Sequence, residues 1–266
     1  MYNQFELESH NEGKIQIAFL NQPQSLNALN KACLQELKDF IEHFEKDETA
    51  RCLVISGRGK AFCSGQNLEE AFTDGNENSE GDLIKNIVLH YYNPLVKAIA
   101  NCKKPVISLI NGPAVGAGAM LALICDFSLA KESAYLAQAF VKIGLIPDTG
   151  GTYFLPKLLG RQLANYLTFT GKKLSAEEAK NLGLIAEVFP DAEFDAKAME
   201  ILLNISELPT AAIGLTKKAF NHSYQNSLED QLDLEAQLQQ EAANSEDFME
   251  GVSAFLGKRK PVYKGK

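Results

Sequence analysis

Lys103-Lys104-Pro105-Val106-Ile107-Ser108-Leu109-Ile110-Asn111-Gly112-Pro113 opens the stretch that decides the fold. Its apolar centre, bounded by turn residues, predicts a buried strand that stops at Asn-Gly-Pro. Ala114-Val115-Gly116-Ala117-Gly118-Ala119-Met120-Leu121-Ala122-Leu123 follows, small residues giving way to helix formers. A glycine turn that opens into a helix leaves backbone N–H groups without partners at the positive end of the helix dipole. Such a terminus can hold a phosphate, a carboxylate, or the oxyanion of an enolate or tetrahedral intermediate. Further on, Ile143-Gly144-Leu145-Ile146-Pro147-Asp148-Thr149-Gly150-Gly151 fixes one carboxylate between proline and glycine. An oxyanion cradle and a rigidly held acid together point to an active site.

Each motif also has a plainer reading. Glycines 112, 116 and 118 would equally serve close packing of helix on strand. Asp148 would equally cap a helix that starts near Thr149. The glycine spacing is not G-x-G-x-x-G, and no Gly-Lys-Ser/Thr follows it, which disfavours dinucleotide and P-loop sites. Ser64 lacks a G-x-S-x-G setting, and His10, His43, His90 and His222 stand near no obvious acid or nucleophile. A Ser-His-Asp hydrolase is therefore disfavoured. Cys63 reads as a small buried thiol rather than a nucleophile. Asp126 reads as a structural acid at a strand end, and Tyr135 and Phe140 as core or pocket wall.

Around that centre, Phe5–Ser9 and Lys14–Leu20 predict a hairpin across Asn11-Glu12-Gly13. Ile15, Ile17 and Phe19 share one face of a half-buried strand. Asn30 is an N-cap ahead of the helical stripe Leu34, Leu37, Ile41 and Phe44. Cys52–Ser56 is a short buried strand, and Ala61-Phe62-Cys63-Ser64-Gly65-Gln66-Asn67-Leu68 lies at its carboxyl end, where ligand sites of alternating β/α folds gather. Glu69–Asp82 lacks periodicity and predicts a loop able to act as a lid. Leu83–Ala100 is helical, and Asp126–Ala130 returns as a strand. Ser175-Ala176-Glu177-Glu178 is a capping box, with Gly183 as C-cap before a strand at Leu184–Phe189. From about Asp195 the chain is helical, with Leu228, Leu232, Leu234 and Leu238 on a face suited to a neighbouring subunit. Strand-strand-helix units recur between Phe5 and Phe189, which suggests a stacked right-handed arrangement.

The chain has 266 residues, 45% hydrophobic and 23% charged, with a net charge of -8. That profile predicts a soluble globular protein and no nucleic-acid partner, because phosphate neutralisation needs clustered lysine and arginine. Lys258, Arg259, Lys260, Lys264 and Lys266 concentrate at the C-terminus, to meet the phosphates of a small ligand or simply to end in solvent. Cys33, Cys52, Cys63, Cys102 and Cys125 are odd in number and far apart, which predicts reduced thiols in a cytoplasmic protein. No secretory pattern and no apolar run of about eighteen residues occurs, so no membrane partner is expected.

The residues resemble the crotonase (enoyl-CoA hydratase/isomerase) superfamily. The carriers are Leu20-Asn21-x-Pro23-x-x-Leu26-Asn27-Ala28-Leu29, Ala61-Phe62-Cys63-Ser64-Gly65-x-x-Leu68, Lys104-Pro105-Val106-Ile107 with Asn111-Gly112, Asp126, and Ile146-Pro147-x-x-Gly150-Gly151-Thr152. The resemblance implies an α/β fold with a ββα-spiral core over residues 1–195. It also implies a helical trimerisation region over 196–266, and so a homotrimer or a dimer of trimers. Substrates would be acyl-CoA thioesters; coenzyme A is part of the substrate, so no cofactor or metal is implied. The thioester oxyanion would be held by the backbone N–H groups of Gln66 and Ala117, the second usually a glycine in the family. Ala61, Cys63, Ser64, Gly65, Leu68 and Pro113 would contact the substrate, joined by Gly116, Met120, Phe140, Ile143 and Leu145.

The departures from the family pattern decide the chemistry. Two-carboxylate hydratases carry glutamates at the positions of Met120 and Phe140. Adding water to an enoyl thioester needs a held, deprotonated water and a proton for Cα, a task for paired carboxylates that Met and Phe cannot perform. Asp148 stands where many hydratases have glycine. One acid–base residue can carry a proton between Cγ and Cα while the cradle holds the dienolate, which is double-bond isomerisation. Apolar neighbours Leu145, Ile146 and Phe140 are expected to raise its pKa. Gln22 and Asn67 replace a family Arg and Asp. Within the family the resemblance is closest to isomerases of aerobic phenylacetate catabolism, which convert a ring epoxide to an oxepin and shift β,γ-enoyl double bonds. It is carried by His90-Tyr91-Tyr92-Asn93-Pro94-Leu95-Val96 in part, Gly116-Ala117-Gly118-Ala119, Ala139-Phe140-x-Lys142-Ile143-Gly144-Leu145-Ile146-Pro147-Asp148, Gln231-Leu232-Asp233-Leu234-Glu235 and Glu250-Gly251-Val252-Ser253-Ala254-Phe255-Leu256. The alternatives are a hydratase of unusual site, a thioesterase or dehalogenase on the same fold, or an acyl-CoA-binding protein without activity.

Overall fold

Hairpin, helix and parallel strands follow one another along the chain in the computed structural model, which describes residues 2–71 and 79–266. Strands β1 (Phe5–His10) and β2 (Ile15–Leu20) pair antiparallel, with Phe5 opposite Leu20. Asn30 Oδ1 accepts from Cys33 N at 2.7 Å and caps α1 (Lys31–Lys46), whose Leu34, Leu37, Ile41 and Phe44 are buried. Each such burial contributes about 1.5–3 kcal/mol, so packing rather than propensity holds this helix in place. Next come β3 (Cys52–Gly57), α2 (Leu68–Ala71), α3 (Glu80–Ile87) and α4 (Asn93–Asn101). β4 (Val106–Ile110) leads through β5 (Ala114–Val115) into α5 (Ala117–Leu123), and β6 (Phe127–Lys131) returns. β7 (Tyr135–Ala137), α6 (Gly151–Thr170), β8 (Lys173–Ser175), α7 (Ala176–Asn181) and β9 (Glu187–Phe189) follow, the expected capping box opening α7. Helices α8 (Phe194–Ser206), α9 (Thr210–Ser223), α10 (Leu228–Ala243) and α11 (Glu246–Leu256) come last.

The main sheet has the order β1-β2-β3-β4-β6-β9 and is parallel beyond the hairpin; β5, β7 and β8 form a second, small sheet. Strand β2 is buried on both faces rather than on one. Ile15 and Ile17 pack with Val54, Ile107, Leu129 and Phe194, while Ala18 and Leu20 face Leu34 and Leu37. An interior strand of a parallel sheet has helices over both faces, and α8 supplies the second cover through Phe194, Ala198 and Leu202.

Two further expectations need correction. Residues 72–78 of the expected Glu69–Asp82 loop lie outside the described residues, but both flanks are helical. Ser79 Oγ accepts from Asp82 N at 3.1 Å and starts α3, with Glu80 and Asp82 in its first turn. The basic C-terminus does not simply end in solvent. Asp247, buried, accepts from the backbone N–H groups of Lys264 (2.6 Å) and Gly265 (2.7 Å). Arg259 donates to both carboxylate oxygens of Glu250, at 2.6 and 2.7 Å, so the tail lies back along α11. On α10 only Leu238 of the expected face is buried; Leu228 and Leu232 are exposed. Among the described residues no single helix is long and apolar enough to cross a membrane.

Candidate active site

The segments that follow β3 and β4 leave the sheet side by side. Asn27, buried, donates from Nδ2 to Arg58 O (2.9 Å) and Ala61 O (2.8 Å), pinning the turn after β3. Phe62 N and Cys63 N donate to Pro113 O, and Val115 N donates to Cys63 O at 2.9 Å. The two chains can lie this close because Gly112 and Gly118 have no Cβ. One built on Gly112 would stand 2.2 Å from Lys60 O, and one on Gly118 2.3 Å from Cys63 O. The packing reading of these two glycines therefore holds.

Gly116 has a different reason for being glycine. Its φ of 54° and ψ of -123° lie where L side chains are strained, and this turn sets α5 off with Ala117 as its first residue. The Ala117 N–H thus has no partner within the helix. Across from it, Leu29 N donates to Gly65 O (2.7 Å) and Asn67 N to Leu29 O (2.8 Å). Backbone N–H groups of an extended chain alternate in direction, so the Gln66 N–H between these two bonds points away from Leu29. Among the described residues neither the Gln66 nor the Ala117 N–H donates to a protein acceptor. Gly65 (φ 99°) joins the two: a Cβ there would stand 2.9 Å from Val115 O and 3.6 Å from Ala117 N. The two free donors share one lip.

Asp148 comes from the turn before α6. Gly151 N donates to its backbone carbonyl at 2.7 Å, and Thr149 and Gly150 both adopt left-handed φ values, 51° and 75°. A buried, β-branched residue at positive φ is strained, and such strain collects at functional sites. The cap position of α6 is Gly150, without a side-chain hydrogen bond, so the Asp148 carboxylate is not a helix cap. Its Oδ1 accepts from the Thr149 hydroxyl at 2.8 Å. Burial pushes its pKa up, and the Thr149 hydrogen bond opposes this in part. Phe140 and Leu145 line the same cavity as Asp148, whereas Ile146 is 77% exposed and lies outside its wall.

Gln66, Ala117 and Asp148 meet in one cavity of about 220 Å³. Of the expected contacts, Ser64, Gly65, Leu68, Gly116, Phe140, Ile143 and Leu145 line it. Ala61, Cys63, Pro113 and Met120 are not part of its wall. The first three belong to the backbone seam behind the cradle, and Met120 is fully buried, accepting from Gln138 Nε2 at its sulfur (3.4 Å). The Ser64 hydroxyl donates to Ser25 O at 3.0 Å, and no histidine lines the cavity. Asp126 accepts from Val106 N at 2.7 Å and pairs with Lys217 at 3.0 Å, a structural acid as read. A larger hollow of about 680 Å³, beside Lys103, Lys217 and Lys266, lies apart from Asp148. The sequence reading missed Ile84, Ile87, Val88, Tyr92, Val115, Ala139 and Lys142, which also line the cavity.

Cys63 is fully buried and burial pushes its thiol up to about 12. Native protein is therefore expected to leave Cys63 unmodified by iodoacetamide at about pH 8, where a thiolate is required, and to take up label only on unfolding. Mass spectrometry of the alkylated peptide checks this. Rapid native labelling would return Cys63 to the candidates for nucleophile.

A model of the enoyl-CoA hydratase/isomerase family matches residues 10–266. The chain is 42% identical to 1,2-epoxyphenylacetyl-CoA isomerase of Escherichia coli over 97% of its own length and 98% of that protein. It is 33% identical to 2,3-dehydroadipyl-CoA hydratase of the same organism, over 98% and 99%. The crystal structure of an enoyl-CoA hydratase from Bacillus anthracis superposes with a TM-score of 0.91 at 33% identity, covering 99% of this chain and all of that one.

Proposed function

The chain belongs to the enoyl-CoA hydratase/isomerase family and has its α/β crotonase-like fold, and within that family we propose that it is an acyl-CoA isomerase with Asp148 as its acid–base residue. The observation that carries this reading is the company Asp148 keeps. It is the one carboxylate among the described residues that line the cavity, opposite two free backbone N–H groups. Met120 and Phe140 stand where hydratases of two carboxylates have theirs.

With a 3-enoyl thioester, the Asp148 carboxylate takes a proton from Cα. The C–H electron pair moves into the Cα–C1 bond, and the thioester oxygen takes the negative charge, held by the Gln66 and Ala117 N–H groups. The dienolate then collapses, and Cγ recovers the proton from the Asp148 carboxylic acid. No atom is gained or lost, so one titratable group suffices. A raised pKa suits the task, since a stronger base takes the carbon-bound proton more readily. The same two devices, an anion cradle and one shuttling proton, support ring-epoxide to oxepin isomerisation of a CoA thioester, by similarity to the Escherichia coli isomerase. Coenzyme A arrives as part of the substrate, and no cofactor enters. The exposed Leu228, Leu232, Phe255 and Leu256 of α10 and α11 support a homotrimer or dimer of trimers, as the resemblance implies.

Purified protein is expected to convert a 3-enoyl-CoA to the 2-enoyl-CoA and to form no 3-hydroxyacyl-CoA from crotonyl-CoA, both followed by chromatography. Hydration without isomerisation would assign the chain to the hydratases instead. Turnover of neither would leave the ring-epoxide ester as the substrate to assay.

A further inference from the structure

Tyr92 is a polar side chain of the cavity wall to which the proposed reaction gives no part. Its side chain is 1% exposed, and its hydroxyl donates to Gln66 Oε1 at 2.7 Å. It sits at a break in helical period. Val88–Tyr92 forms a single π turn between α3 and α4. Ile84, Ile87 and Val88 face the cavity, and each four-residue step along an α-helix turns that face by about 40°. The π turn takes up part of that drift, and Tyr92 stays on the cavity side. A buried tyrosine hydroxyl needs a partner, and the partner here belongs to the residue whose backbone N–H faces the cavity.

The Gln66 N–H shares a planar peptide with Gly65 O, so the 2.7 Å bond from Leu29 N sets its general direction and leaves the fine tilt of that plane to the Gln66 side chain. On one side, its neighbours Gly65 and Asn67 are tied to Leu29. Its side-chain amide donates to the adjacent carbonyl, Asn67 O, at 3.1 Å. Tyr92 is the long-range anchor of that side chain, and it comes from the π turn 26 residues further along the chain.

We propose that Tyr92 is a positioning residue for the oxyanion cradle: its bond to Gln66 Oε1 keeps the Gln66 peptide turned so that its N–H meets the thioester oxygen. This rests on the cradle in the reading above, and not on which rearrangement follows enolate formation. A donor stabilises a developing charge only if it is in place before the charge forms, so a peptide free to rock loses part of its effect. The Tyr92 proton is committed to Gln66, so proton transfer stays with Asp148.

Tyr92→Phe removes the hydroxyl and keeps the ring; Gln66→Met removes the acceptor and keeps the backbone N–H. Each is expected to lower kcat about 10- to 100-fold with little change in KM. The pH of half-maximal activity should stay where Asp148 sets it, and the double variant should be no slower than either single one. A second readout needs no turnover. The infrared C=O stretch of a bound, unreactive ¹³C-labelled acyl-CoA thioester should shift down on binding to the wild type, and part of that shift should be lost in Tyr92→Phe. Unchanged kcat with an unchanged stretch would overturn the proposal, as would loss of activity that only follows a lowered Tm. If the wild type hydrates rather than isomerises, the isomerase reading fails while the stretch still judges Tyr92. If the wild type shows no shift on binding, the cradle and this proposal fall together.

Discussion

Asp148→Asn is expected to lower the rate of double-bond isomerisation by about 10²–10⁴-fold, the usual worth of a positioned acid–base group, while the acyl-CoA ester still binds. Asparagine keeps the shape and can still accept from Thr149, but it cannot take or return a proton. The variant should also be more stable than the wild type at neutral pH. Burial raises the Asp148 pKa above its ordinary value of 3.8. Below that value the carboxyl is protonated in both folded and unfolded chains, and the two proteins should melt together. As pH rises from there to the raised folded value, the unfolded chain releases its proton while the folded chain keeps it, so folding loses stability. Above the folded value the deficit persists, and asparagine removes it. Melting temperature against pH therefore separates a catalytic role from damage to the fold, because a damaged protein would melt lower. Wild-type activity should rise with pH as the base ionises, and the residual activity of the variant should lack that limb. A variant that still isomerises at the wild-type rate would remove Asp148 from the mechanism.

The parts of this architecture that were legible in the sequence are those made by local chemistry. Asn30 caps its helix, Ser175 and Glu178 form their box, and the Asn11–Gly13 turn joins two paired strands, each within a few residues of the signal that predicts it. The turn that presents Asp148 belongs to the same class. What was not legible depends on residues distant in sequence. The alternation of β2 reads as one buried face, and only the arrival of α8 from the far end of the chain buries the other. Gly112, Gly116 and Gly118 look alike as letters. Two are required by backbone atoms pressed against them, and one by a positive φ with open space around it. Tyr92 is hidden for a similar reason. Its spacing from Ile84 and Val88 reads only as a buried helical face, and its partner Gln66 lies 26 residues back. Strands β5 and β7, of two and three residues, are too short to carry a period at all.

Ala117→Pro tests the other half of the site with little disturbance to its scaffold. Ala117 is the first residue of α5, where proline is tolerated because the missing N–H has no helical partner. The residue before a proline avoids the α region, and Gly116, in a conformation open to glycine, already does. The substitution therefore deletes one donor from the cradle and leaves the helix hydrogen bonds intact. A kcat about 10²–10³-fold lower is expected, the loss seen when one oxyanion donor is removed from a pair. Ala117→Gly restores the N–H and is the control; it should keep activity near the wild type, with at most about 1 kcal/mol lost from stability. Circular dichroism and Tm of the two variants should agree closely, so that the rate difference reports the donor alone. The effect should be this large because the cavity is small and mostly apolar, where a hydrogen bond to a developing charge is poorly replaced by solvent. The proline variant should also bind the ground-state thioester almost as well as the wild type, since the neutral carbonyl asks little of the donor. Equal losses in binding and rate would mean that the Ala117 N–H holds substrate rather than the enolate, and full activity in the proline variant would place the oxyanion elsewhere.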